Sequence, residues 1–71
     1  MFIEIHETGT NRPGLLNVDQ IVSVIPVRTK DQSLILCNGA AKWLNVTESY
    51  GDICKKLNYC GLVFTDGDVN A

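Results

Sequence analysis

The chain has 71 residues, a net charge of −2, 45% hydrophobic and 20% charged residues. A domain this small buries only about 60% of its unfolded surface, so a disulfide, a metal or a partner surface is the usual reinforcement. The composition excludes a disordered chain, and no apolar run approaches the roughly 18 residues that span a bilayer.

Phe2 to Glu7 alternates apolar and polar residues as a strand does, with Ile3 and Ile5 on one side and Glu4 and His6 on the other. The turn formers of "TGTNRPG" end it, and Leu15 to Val18 resumes as the return arm of a hairpin. Asn17 stands where its side-chain oxygen can cap a short helical turn over Val18-Asp19-Gln20. Ile21 to Val27 is rich in β-branched residues and predicts a strand, with Ile21, Ser23, Ile25 and Val27 on one face and Val22 and Val24 on the other. Pro26 has no N–H to give a ladder, so it belongs at an edge, a bulge or the strand's end. "RTKDQS" is a polar turn.

Asn38-Gly39 lies between two apolar runs, and this dipeptide suits the positive φ angles of a two-residue type I′ turn. That reading pairs a strand over Ser33 to Cys37 with one over Ala40 to Val46. Leu34, Leu36, Ala41 and Trp43 then share one face, and Ile35, Cys37, Ala40, Leu44 and Val46 the other. Thr47 is the expected helix cap, Glu48 suits the positive helix end, and Tyr50, Ile53, Cys54 and Leu57 recur on one helical face. Asn58 is a natural stop. Gly51 within the helix costs about 1 kcal/mol relative to Ala. Tyr59 to Thr65 can form a last short strand, and residues 66–71 read as an acidic tail.

These elements predict a single α+β domain over residues 1–71: a small, mainly antiparallel sheet of three to five strands with one helix packed on it. Both sheet faces are apolar, yet one helix covers only one. The uncovered face predicts a homodimer or higher homo-oligomer with Trp43, Leu34, Leu36 and Ala41 at the interface, unless the strands curl into a barrel.

The chemistry-bearing residues point away from catalysis. Cys37, Cys54 and Cys60 contain no CxxC, and a zinc site joining them to His6 would draw on four unrelated segments. Cys37 and Cys54 instead read as small buried apolar groups, and three unpaired thiols fit a reducing compartment. His6 is the single histidine; it reads as a surface residue on the solvent side of its strand, because a catalytic role would need a nucleophile or orienting carboxylate in a cleft. Asp66, Asp68 and Asn70 imitate the start of a calcium loop that the sequence does not complete. Phosphate-binding glycine motifs are absent, and Asn45-Val46-Thr47, a formal glycosylation sequon, reads as a strand end. The expectation is no enzyme activity, no cofactor and no metal. With no basic segment before its first apolar residues, the N-terminus does not read as a signal peptide, and a cytoplasmic protein is expected. The six Lys and Arg are scattered, which disfavours a nucleic-acid face.

"NVDQIVSV", "LILCNG" and "NVTESYGDI" together resemble the FlbD family, small bacterial proteins associated with flagellar operons, and similar short proteins of phage and Gram-negative genomes. The resemblance runs from Asn17 to Leu57 and implies fold more than function; it brings no catalytic residues. "IPVRTKDQ" and the stretch from Cys60 to Thr65 depart from the compact family pattern. A more distant similarity is to LytTR-type DNA-binding domains, whose length and basic loops this acidic chain lacks. The sequence thus predicts an interaction or regulatory module with an unidentified protein partner. The alternative is a transcription-linked regulator contacting nucleic acid directly.

Overall fold

A computed structural model describes residues 1–59. The expected strand over Tyr59 to Thr65, apart from Tyr59 itself, lies outside these residues, as do Cys60 and the acidic tail. Five strands and one α-helix form two antiparallel sheets, an α+β fold. Strands β1 (Phe2–His6) and β2 (Pro13–Asn17) make a hairpin, with Ile3 opposite Leu16 and Ile5 opposite Gly14. The second sheet has the order β3 (Ile21–Pro26), β4 (Ser33–Cys37), β5 (Leu44–Val46), and helix α1 covers Tyr50–Tyr59.

The 3₁₀ turn Val18–Gln20 links the sheets, and Asn17 caps it by accepting the Asp19 N–H at 3.0 Å, as its side chain predicts. The sheets meet along a second seam. Glu7 bridges Val46, Thr8 N–H donates to the Asn45 carbonyl at 3.0 Å, and Thr47 N–H donates to the His6 carbonyl at 2.8 Å. Strand β1 is thereby carried alongside β5.

The core lies between the sheets and under the helix. Ile3 and Ile5 from the hairpin meet Val18, Ile35, Val46 and Ile53, and the last three are fully buried. The single sheet of the sequence reading is therefore two, and the hairpin and helix together cover the inner face of β3-β4-β5.

Three local corrections have physical causes. Asn38-Gly39 does form a tight turn, closed by Ala40 N–H to the Cys37 carbonyl at 3.1 Å, but only Gly39 takes a positive φ, +81°. That is the signature of a type II turn rather than type I′. Asn38 N–H bonds the Gln20 carbonyl at 2.7 Å, which fixes its backbone toward β3. The chain after the turn does not pair until Leu44, so the strand expected from Ala40 is only three residues long. Ile35 pairs with Leu44, two residues beyond the Lys42 that a two-residue loop would set opposite it. A shift of two keeps each side chain on its face, because strand side chains alternate with period two.

Strand β3 departs from simple alternation. A bulge between Ile21 and Ser23 lets both Ile21 and Val24 pack on the core, although they are three residues apart. The expected grouping of Ile21 with Ser23 and Ile25 is overturned there. Pro26 ends β3, the position open to a residue without an N–H.

The helix begins three residues later than expected. Its cap is Ser49, whose Oγ accepts the Asp52 N–H at 3.1 Å and whose carbonyl accepts the Ile53 N–H at 3.0 Å. At Thr47 the chain still runs alongside β1, its N–H donating to the His6 carbonyl, and the helix starts only after Ser49. The helical phase is as predicted for Ile53 and Leu57, whereas Cys54 is half-buried outside the core cluster and Tyr50 lies at the exposed rim.

Candidate functional site

Two features stand out: a polar cluster at the end of β1, and the outer face of the three-stranded sheet. In the cluster, β1 delivers His6 to the segment between β5 and α1. His6 Nδ1 lies 2.6 Å from Glu48 Oε2, and the His6 main-chain N–H donates to Glu48 Oε1 at 3.0 Å. Ser33, fully buried at the start of β4, donates its hydroxyl to the Glu48 carbonyl at 2.8 Å. The Glu48 side chain is 11% exposed. Burial, the largest single influence, raises its carboxyl pKa. Hydrogen bonds from the His6 ring and N–H, a bond within its own backbone and the His6 charge together outweigh burial, so the carboxyl sits below its ordinary value.

His6 is thus half-buried and anchored, which corrects its reading as a solvent-facing strand residue. The sequence placed Glu48 at the helix end as a dipole partner; nothing in its spacing tied it to a residue 42 positions away. Such a carboxylate could orient a catalytic imidazole. The other ring nitrogen, Nε2, has the Glu4 carboxylate 3.6 Å away, so a second acid rather than a hydroxyl or thiol stands beside it. An open groove of about 240 Å³ lies elsewhere, lined by Ile5, Glu7, Arg12, Pro13, Gly14 and Leu44.

Cys37 and Cys54 are free and half-buried, and Cys37 packs against the core. A hydrogen bond with the Cys54 thiol raises the Tyr50 pKa. Among the described residues, no three His, Cys, Asp or Glu side chains converge on a point where a metal could sit. No helix among them is long and apolar enough to cross a membrane.

The outer face and the connection before β5 carry the residues named as an interface. Ile25 pairs with Leu34, Leu34 with Asn45, and Ser23 with Leu36, so these side chains share the side away from Ile35. Trp43 immediately precedes core-facing Leu44 and is 41% exposed; Ile25 is 40% exposed. Leu34 and Leu36 are half-buried. Ala41, two residues before Trp43 in the connection that leads to β5, is exposed as well. Sequence reasoning missed Ile25 and the bulged Val22, 60% exposed, because strict alternation hid the bulge.

Comparison with protein-family models, with curated proteins and with solved structures yields no match.

Proposed function

We propose that this chain is a small, non-enzymatic interaction or regulatory module of the cytoplasm, FlbD-like and of bacterial or phage origin. It acts through protein–protein contacts as a homodimer or higher homo-oligomer. The observation that carries this reading is the outer face of β3-β4-β5, where Ile25, Leu34, Leu36 and Trp43 are flanked by the uncharged polar residues Ser23 and Asn45. A contiguous apolar surface rimmed by polar groups is characteristic of a protein contact, and a tryptophan on it is the residue type that most often anchors binding energy.

Two further observations support this reading over its competitors. The His6–Glu48 pair ties β1 to the helix entrance, and the groove has no His6 in its wall, so the imidazole is engaged in holding the fold together. The basic residues are divided: Arg28 and Lys30 precede β4 and Lys42 follows it, at opposite ends of that strand. A phosphate backbone is gripped best by a continuous basic face.

Light scattering across micromolar to millimolar concentrations tests the proposal. A mass rising above 7.8 kDa is expected. A constant monomer mass, with a salt-sensitive shift on adding duplex DNA, would favour the nucleic-acid alternative.

A further inference from the structure

Resting on the interaction-module reading, we infer that the partner on the outer face is a second copy of this chain, packed sheet on sheet about a two-fold axis with β4 at its centre. The alternative for a small open sheet is edge-to-edge joining through β3, which has β4 on one side only.

The free edge of β3 is poorly suited to pairing. Its bulge between Ile21 and Ser23 breaks the even spacing of backbone groups that a new strand needs, and Pro26 offers no donor. Bulges and prolines are the devices that keep edges from pairing. The face has the opposite character. Its central strand presents Leu34 and Leu36, with Ile25 on one flank and Trp43 on the other, and no ionisable group occupies a paired position of this face. A two-fold axis sets a surface against itself, so a charged face would oppose like charges. This one meets its copy without that penalty. Among the described residues, the acidic Glu4, Glu7, Asp19, Asp31, Glu48 and Asp52 all lie outside β3, β4 and β5.

Area sets the strength. Three strands spaced about 4.8 Å apart, of six, five and three residues at about 3.3 Å per residue, give a footprint of roughly 200–250 Å² per copy. The total of about 400–500 Å² falls well short of a standard stable interface. The dimer is therefore reversible and concentration-dependent, dissociating in the micromolar range or above, rather than obligate.

Isotope-filtered NMR on an equal mixture of ¹³C,¹⁵N-labelled and unlabelled protein tests the arrangement, alongside the mass at the same concentration. The expected result is a doubled mass, intermolecular NOEs from the Leu34 and Leu36 methyls to the partner's apolar side chains, and β3 amide exchange unchanged on dilution. Leu34→Glu should weaken association at least tenfold while leaving the far-ultraviolet circular dichroism intact. A doubled mass without those NOEs, or with β3 amides slowed tenfold or more on association, overturns the face-to-face arrangement and leaves the interaction module standing. A monomer mass throughout overturns both.

Discussion

The carboxylate of Glu48 accepts from His6 twice, at 3.0 Å from its main-chain N–H and across a 2.6 Å contact with its ring Nδ1. The residue before Glu48 reciprocates, as Thr47 N–H donates to the His6 carbonyl. One end of the hairpin is thereby fastened to the three residues that lead from β5 into the helix.

Removing that fastening should be costly and pH-dependent. Glu48→Gln is expected to lose about 1–3 kcal/mol at neutral pH, the range for hydrogen bonds to a buried charged group. The sign follows from the lowered Glu48 pKa. A carboxyl held lower in the folded state contributes stability above its unfolded pKa, about 4, and loses it as pH falls through the lower folded value. The gap between wild type and Glu48→Gln in urea denaturation should therefore narrow on acidification below about pH 4. A gap unchanged down to pH 2 would mean the carboxylate is not the stabilising species.

The helix should be held by one side chain above all. Ile53 is fully buried against the core, so Ile53→Ala should cost about 2–4 kcal/mol by thermal or chemical denaturation. Exposed Lys55→Ala should be nearly silent.

Gly39 carries a positive φ, although its missing Cβ would meet nothing within 4 Å. The cost of a side chain there is conformational rather than steric crowding. Gly39→Val should destabilise by about 1–2 kcal/mol, with Gly39→Asn milder because asparagine tolerates left-handed backbone. Equal stability of all three, measured by denaturation midpoints, would contradict this account of the turn.

Gly51 presents the reverse case. Its φ is not positive, and an added Cβ would come no nearer than 3.9 Å, to Ser49 Oγ. Gly51→Ala should stabilise by about 0.5–1 kcal/mol, seen as a higher Tm.

Much of this architecture could be read from local signals. Alternation gave Ile3 and Ile5 to the core, Asn17 marked its cap, and the helical repeat assigned Ile53 to the buried face. What escaped was non-local. Ser49 rather than Thr47 caps the helix because the chain at Thr47 is still joined to β1, a contact between residues far apart in sequence. The bulge in β3 depends on pairing with β4 and hid the outward position of Val22. The His6–Glu48 pair likewise exists only once the hairpin folds onto β5. Leu34 and Leu36 survived the error in loop length because a two-residue shift preserves the faces; Ala41 and Trp43 both fall in the connection before β5, Trp43 directly before Leu44.

The outer face of β3-β4-β5 should associate with a second copy through residues around Trp43. Light scattering of the wild type and Trp43→Glu, side by side at a concentration where the wild type has associated, tests it most directly. A charge introduced into an apolar contact about a two-fold axis is desolvated and opposed by its own copy. The expected result is a wild-type mass near twice 7.8 kDa and a folded Trp43→Glu protein at the monomer mass. A Trp43→Glu protein that associates as strongly as the wild type, or a wild type that never leaves 7.8 kDa, would contradict it.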